Sequence, residues 1–305
     1  MPKSILKKRS IDEYLKDLDS ACTWLNIEQG RAAEYRQLLE ESRGMSALGE
    51  DQLLAYFESL DLVETFLLWG SRVNQFPKLK EKIRQIYRKG PLLRRDEYPS
   101  SNPNQFRNNA FPILLAGRFL VAGIPVNHVD ELYKKGFNGT SSADFIFSWN
   151  SSPTHVQCKR PFSKERLVER AKEARNQIKN SGRNGIVALD CSLLIYDNDV
   201  VFRNADETFA VEYCSNFMVN ELFPKVQIVL SHKNVLGLIL YSRVPSMTPM
   251  EQNGDDGQMD RRDASMSFNC FANQGYSTDK ELMLEITDRL DRCSRGVALP
   301  PLVIW

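Results

Sequence analysis

The fold is decided by residues 143–163, which read ADFIFSWNSSPTHVQCKRPFS. Apolar and polar residues alternate before and after the turn-forming residues 150–153, and this pattern predicts two antiparallel strands joined by a four-residue loop. Ser163 then begins a long helix with one apolar stripe, which ends at Gly182. The next apolar run, 185–194, predicts a buried strand. Strands and helices that follow one another in this way indicate a mixed α/β core.

The predicted loop also determines which residues of the hairpin stand opposite each other. With residues 150–153 in the loop, Trp149 pairs with Thr154, and Asp144 is expected opposite Lys159. The alternation of a strand places Asp144, Gln157 and Lys159 on one face and the aromatic residues of the hairpin on the other. Side chains opposite each other on paired strands lie about 5 Å apart. We therefore expect one apolar face against the core and one polar face that carries this cluster.

The polar cluster offers the groups that metal-assisted hydrolysis needs. Mg²⁺ prefers oxygen ligands and usually keeps several waters beside one or two carboxylates and a phosphate. The Asp144 carboxylate, the Gln157 amide oxygen and the Cys158 carbonyl oxygen are the candidate metal ligands. Lys159 is the candidate for positioning the attacking water and stabilising the charge of the transition state. The alternative from these residues alone is a surface ion pair between Asp144 and Lys159, worth under about 1 kcal/mol.

The same residues resemble the PD-(D/E)XK nuclease superfamily. The similarity covers 106–200 and rests on Ala143-Asp144, then Gln157-Cys158-Lys159-Arg160, a helix, and the strand GIVALDCS at 185–192. It implies a restriction-endonuclease-like αβββαβ core with a mixed central sheet flanked by helices. It also implies that Asp144, Gln157 and Lys159 hydrolyse phosphodiester bonds with Mg²⁺ or Mn²⁺.

Two features depart from the pattern of that superfamily. Gln157 stands where the superfamily usually has Glu or Asp, and an uncharged amide oxygen binds a dication less strongly than a carboxylate. The first helix of the core, within 106–123, contains no acidic residue, although Asp130 or Glu131 on the next strand could substitute. The alternative to a nuclease is therefore a catalytically inactive core that binds nucleic acid or serves in protein assembly.

Two basic segments indicate surfaces that would follow a nucleic-acid backbone. Residues 159–183 contain nine basic and three acidic residues, and residues 78–95 contain eight basic residues and one acid. A solvated helix face is the alternative for both segments. We expect nucleic acid, with DNA preferred to RNA, as the partner. The candidate nucleic-acid contacts are Arg160, Lys164 and Arg170, together with Gln177, which resembles a glutamine that some branches of the superfamily bring into the site.

The periodicity of the whole chain predicts its division into segments. The chain has 305 residues, with 40 Lys and Arg against 39 Asp and Glu, so any basic surface must be local. A very apolar helix within the first segment could pack inside one chain, pair two copies or contact a protein partner. The predicted segments are an N-terminal helical module over 1–95, the core over 106–245, a mobile polar loop over 246–265, and a C-terminal helix with a tail over 266–305.

The sequence also predicts where the protein is found. It has no apolar run of membrane-spanning length and no cleavable leader, so we expect a cytoplasmic protein without a membrane partner. Its six cysteines are scattered without ligand spacing, and reduced thiols are expected.

Overall fold

The computed structural model shows a mixed α/β chain with a helical N-terminal region, which confirms the fold class predicted from the sequence. The connectivity of a restriction-endonuclease-like core stays a prediction. No helix among the described residues is long and apolar enough to cross a membrane. The described residues are 11–42, 50–76, 78–89, 109–129, 143–196, 202–203, 207–248, 261–273, 275 and 277–294.

The helices of the N-terminal region pack around one long apolar helix, α3, which lies inside the chain. Its Trp69 is fully buried and donates a hydrogen bond from Nε1 to the carbonyl of Ile113, at 3.0 Å. A side chain at Gly117 would meet the Trp69 ring at 2.7 Å, so this glycine allows α3 to approach the first helix of the core, α5. The bounds are α1 (Ile11–Leu25), α2 (Arg31–Glu41), α3 (Glu50–Trp69), a 3₁₀ turn (Val73–Gln75), α4 (Leu79–Arg88) and α5 (Ala110–Val121).

The strands form one mixed sheet, which has seven strands in the described part of the chain. The order is β1-β2-β3-β4-β6-β5, and β7 pairs with β6. The pairs β1–β2, β2–β3 and β6–β7 are antiparallel, whereas β3–β4, β4–β6 and β5–β6 are parallel. The bounds are β1 (Val126–Val129), β2 (Phe145–Trp149), β3 (Ser152–Lys159), β4 (Gly185–Asp190), β5 (Phe202–Arg203), β6 (Val235–Thr248) and β7 (Arg261–Ala272).

The remaining helices cover the sheet. α6 follows β3, begins at the predicted cap Ser163 and ends at Gly182, which has the left-handed φ of 66°. A π-helical turn, Met218–Leu222, separates α8 from α9, and a 3₁₀ turn, Gln227–Ser231, leads to β6. The bounds are α6 (Lys164–Ser181), α7 (Ser192–Tyr196), α8 (Glu207–Phe217), α9 (Phe223–Val226) and α10 (Ser277–Ser294).

The turn between β2 and β3 is tighter than the sequence predicted. Trp149 pairs with Ser152, so the loop consists of Asn150 and Ser151 alone, and the predicted four-residue loop is wrong. Both loop residues have positive φ, 47° and 59°, as a type I′ turn requires. Such a turn matches the right-handed twist of the two strands, and Asn accepts its backbone conformation at little cost.

The shorter loop moves the register of the hairpin by two residues. Phe145 pairs with Val156 and Ile146 with His155, and the N–H of Asp144 donates to the Val156 carbonyl, so the predicted pairing of Asp144 with Lys159 is wrong. Gln157 and Lys159 lie on one face of β3, because residues two apart on a strand point to the same side. Asp144 precedes β2 and is outside this alternation.

Apolar residues on the two sides of the sheet form two cores. One core joins α1, α3, α5 and α10 to one side of the sheet, and the other joins α6 and α8 to the opposite side. The helical N-terminal region therefore shares its core with the sheet. Residues 96–105, between the predicted helical module and the predicted core, lie outside the described residues, and the division into domains stays a prediction. β6 and β7 extend into the predicted loop 246–265, of which 249–260 lie outside the described residues.

Candidate functional site

Asp144 is joined to β3 by its backbone and by its side chain. Its N–H donates to the carbonyl of Val156 at 3.0 Å, and its Oδ2 accepts from the N–H of Cys158 at 2.6 Å. The N–H and the C=O of one strand residue point to the same side of the strand. The Cys158 carbonyl oxygen is therefore also directed to the side of β3 on which the Asp144 carboxylate lies.

Gln157 and Lys159 differ in their access to solvent. Gln157 is 1% exposed and stands beside Val187 of β4, on the side of the sheet that α6 covers. Lys159 is the last residue of β3 and is partly exposed, as is Asp144. Asp144 and Lys159 are thus accessible near the end of β3, whereas the Gln157 side chain is buried. We call Asp144, Gln157, the Cys158 carbonyl and Lys159 the hairpin site.

The Cys158 side chain takes no part in the hairpin site. Burial, with the negative charge of Asp144, raises the pKa of this thiol well above its ordinary value, so the thiol stays protonated at neutral pH. The thiol lies on the opposite face, within the core that includes Phe145 and Val156. Of the groups of Cys158, the candidate ligand is therefore the backbone carbonyl and not the thiol.

The hairpin site offers the types of oxygen donor that a hard cation binds. It contains one carboxylate, one amide oxygen and one backbone carbonyl, and Mg²⁺ is commonly held by one or two carboxylates together with waters and a substrate phosphate. Among the described residues, no three His, Cys, Asp or Glu side chains lie together as a metal site. The other candidate acids, Asp130 and Glu131, lie outside the described residues.

Arg160, which follows the hairpin site, is buried and ion-paired. Its Nε donates to Oδ2 of Asp190 at 2.6 Å, and its Nη1 donates to Oδ2 of Asp61 at 2.9 Å. Only 6% of its side chain is exposed. The guanidinium is thus bound by two carboxylates and is not presented to a phosphate, which is a correction to the predicted phosphate contact.

Arg160 belongs to a buried charge network that the sequence did not reveal. Arg243 of β6 pairs with both Asp61 and Glu64 of α3, and Arg118 of α5 also pairs with Glu64. Three guanidinium groups thus meet three carboxylates, and every one of these side chains is at most 6% exposed. The members of this charge network are Asp61, Glu64, Arg118, Arg160, Asp190 and Arg243.

The charge network ties α3 to the ends of the parallel strands. Asp190 ends β4, and its Oδ1 accepts from the N–H and the Oγ of Ser192, at 3.0 and 2.5 Å. Burial lowers the pKa of Arg243 to about 10, which still leaves it charged at neutral pH. Burial raises the pKa of Glu64, an effect that Arg118 opposes. The sequence signal for this network was the spacing of three between the acids Glu58, Asp61 and Glu64 within a largely apolar part of α3.

The α6 side chains that were predicted to contact a nucleic-acid backbone lie in two environments. Arg166 and Arg170 pair along the helix with Glu169 and Glu173, at 2.5 and 2.9 Å. Lys164 lies with its ammonium 5.3 Å from the ring centroid of Phe217 on α8. The exposed Lys172 and Lys179 add positive charge to the outer side of α6, and Gln177 is partly buried on the same helix.

The basic helix and the hairpin site are continuous along the chain. Lys164 is the first residue of α6 and follows Lys159 by five positions, so the basic helix starts soon after the end of β3 in the chain. The second basic segment forms α4, which ends at the exposed Arg88, and residues 90–95 lie outside the described residues.

Comparison of the chain with known protein families, curated proteins and solved structures finds no match. The likeness to the PD-(D/E)XK superfamily therefore rests on the residues quoted from the sequence, and the chemistry of the site rests on its geometry.

Proposed function

We propose that this chain binds nucleic acid along α6 and hydrolyses its phosphodiester bonds at the hairpin site with Mg²⁺ or Mn²⁺. One observation carries the proposal: the Asp144 carboxylate lies against the Cys158 backbone, next to Lys159 and close in the chain to the first cation of α6. A carboxylate, a carbonyl and an amine at the entrance to a basic surface are the groups that this reaction uses.

The residues of the hairpin site have different roles in the proposed reaction. Asp144, the Cys158 carbonyl and the Gln157 amide oxygen would hold the cation, which when bound polarises the phosphodiester and lowers the pKa of a coordinated water. Lys159, at the open end of β3, places a positive charge beside the phosphate and stabilises the additional negative charge of the transition state. The exposed lysines of α6 bind the backbone on either side of the scissile bond.

A digestion panel tests this function. The full chain is incubated with single- and double-stranded DNA and RNA in the presence of Mg²⁺ or Mn²⁺, and in parallel with EDTA. We expect cleavage of at least one substrate that EDTA abolishes. Binding of nucleic acid without cleavage in either metal would contradict the hydrolytic step and leave the binding function.

The second candidate function is an inactive core that binds nucleic acid. The observation that favours it is Gln157, because an uncharged and almost fully buried residue stands where the superfamily usually has an acid. In this case α6 would still bind the backbone, and the hairpin site would bind no metal.

Gln157→Glu distinguishes the two candidates. We expect the variant to be less stable than the natural chain without metal, because a buried carboxylate is costly. Millimolar Mg²⁺ or Mn²⁺ should then raise its melting temperature more than that of the natural chain, since a second carboxylate strengthens binding and metal that binds only the folded state stabilises it. A roughly tenfold gain in affinity corresponds to about 1.4 kcal/mol.

The matched control for that experiment is Gln227→Glu, since Gln227 is exposed and belongs to the 3₁₀ turn before β6. It adds the same charge away from the hairpin site and should show no additional response to metal. Equal metal responses of the two variants would exclude a metal site at Gln157.

Removing positive charge from α6 should weaken nucleic-acid binding whatever the base sequence. In the double variant Lys172→Ala and Lys179→Ala, we expect the slope of log K against log salt to fall by about 2, roughly one for each phosphate that the variant no longer neutralises. Fluorescence anisotropy with a labelled oligonucleotide over a range of salt concentrations measures this slope. Lys280→Ala, an exposed lysine of α10, is the control, and an equal effect of the control would contradict a specific role of α6.

A further inference from the structure

Three aromatic side chains follow one flank of α8. Phe209, Tyr213 and Phe217 are spaced by four residues, so they lie one above another along the helix. The rings of Tyr213 and Phe217 are nearly parallel, with centroids 6.4 Å apart and an interplanar angle of 11°. Phe209 is 58% exposed, and the other two are partly exposed. We call these residues the aromatic stripe.

The contacts of α8 show which way the aromatic stripe faces. Ala210, Cys214 and Met218 are fully buried in the core beneath the helix. On one flank of this buried row, Ser215 donates a hydrogen bond to Oδ1 of Asn269 on β7, at 3.0 Å. The aromatic stripe occupies the other flank, and its Phe217 end lies near Lys164 at the start of α6.

The aromatic stripe begins where the basic surface begins. The ammonium of Lys164 lies 5.3 Å from the centroid of the Phe217 ring, and Lys164 follows Lys159 of the hairpin site by five residues. Exposed aromatic rings beside lysines are the two components of surfaces that bind single-stranded nucleic acid, since bases stack on the rings while phosphates meet the cations.

We infer that the aromatic stripe is a stacking platform for unpaired bases and that the substrate of the hairpin site is single-stranded where it enters. The inference rests on the proposed function. The bases of a duplex are already stacked on one another, so only an unpaired base can place its face on the exposed ring of Phe209. The phosphates of the same strand pass Lys164 toward Lys159, which connects the platform to the site of hydrolysis.

The test compares Phe209→Ala with the natural full chain. Binding to a labelled single strand of about 16 nucleotides and to the duplex of the same sequence is measured by anisotropy in EDTA, so that cleavage does not interfere. We expect roughly 5- to 100-fold weaker binding of the single strand, from the typical contribution of one stacked base, and an unchanged affinity for the duplex. Because Phe209 is exposed, the variant should fold normally.

Two further variants make the comparison specific. Phe209→Trp keeps a stacking surface and should retain the affinity for the single strand. Ile228→Ala removes another exposed apolar side chain, 48% exposed, away from the aromatic stripe, and should change neither affinity. A photoreactive thiothymidine in the single strand should form crosslinks with residues 207–217, as mapped by mass spectrometry.

The outcomes separate this inference from the proposed function. Equal losses of affinity for single strand and duplex, or no loss in Phe209→Ala, would overturn the platform, and binding of both substrates that still depends on Lys172 and Lys179 would leave the proposed function intact. Absence of any binding by the natural chain would overturn both. A dimer in sedimentation that Phe209→Ala dissociates would also overturn the platform, because the stripe would then be covered by a second copy.

Discussion

Lys159→Ala is expected to lower the rate of phosphodiester cleavage by about 100- to 1,000-fold, the typical effect of removing one group that stabilises transition-state charge. Lys159 ends β3 and directly follows Cys158, whose N–H donates to the Asp144 carboxylate. Lys159 supplies the positive charge of the hairpin site, and its side chain is partly exposed to solvent. Single-turnover cleavage with enzyme in excess measures this rate without a contribution from product release.

Lys172→Ala is the matched control for Lys159→Ala. Both variants remove one amine, but Lys172 lies on the outer side of α6 and should affect binding alone. At saturating enzyme its cleavage rate should therefore equal that of the natural chain. A Lys159→Ala variant that folds normally, as judged by its melting temperature, and still cleaves at the natural rate would remove Lys159 from the mechanism.

The faces of the hairpin were predictable from the sequence because they depend only on local alternation. Gln157 and Lys159 share a face of β3 in the structure as they do in the pattern, since residues two apart on one strand always do. Asp144 lies just before β2, where its N–H donates to the Val156 carbonyl, so its position does not follow from the alternation. The register itself depended on the length of the turn. The sequence analysis placed Pro153 in the loop, whereas in the structure Pro153 belongs to β3 and pairs with Ser148 of β2. Proline is acceptable there because it stands near the start of the strand, where no ladder donor is required from it.

The burial of Gln157 and the partners of Arg160 were not predictable, because both depend on residues distant in the chain. Gln157 is buried by α6 and β4, which follow it. Arg160 meets Asp61, 99 residues earlier, and Arg243 meets the same aspartate across 182 residues. A basic residue that follows a strand can equally contact a phosphate or form an internal ion pair, and the sequence does not distinguish the two until its acidic partner is known.

The aromatic stripe was predictable only in part. Its spacing of four residues is visible in the sequence. Its significance depends on which flank of α8 faces the core, and this was set by the contacts of Ala210 and Cys214 and by the bond from Ser215 to Asn269. The sequence alone could not distinguish a buried aromatic row from an exposed one.

Asp61→Ala is expected to lower the free energy of unfolding by about 3–5 kcal/mol, the usual cost of removing one partner from a buried ion pair. Asp61 accepts from Arg160 and also pairs with Arg243, and all three side chains are at most 6% exposed. The variant would leave two buried guanidinium groups with reduced compensation. Because a domain is stable by only about 5–15 kcal/mol, this decrease is a large part of the total, and urea unfolding followed by tryptophan fluorescence would measure it.

Asp19→Ala tests whether burial is the reason for that decrease. Asp19 pairs with Arg36 at 2.5 Å, but their side chains are 47% and 40% exposed, so its removal should cost under about 1 kcal/mol. Asp61→Asn, which keeps the shape of the side chain but not its charge, should fall between the two alanine variants. Since Arg160 directly follows Lys159, Asp61→Ala should also reduce cleavage in the fraction that remains folded. Equal decreases in the free energy of unfolding for Asp61→Ala and Asp19→Ala would mean that the charge network does not stabilise the packing of α3 on the sheet.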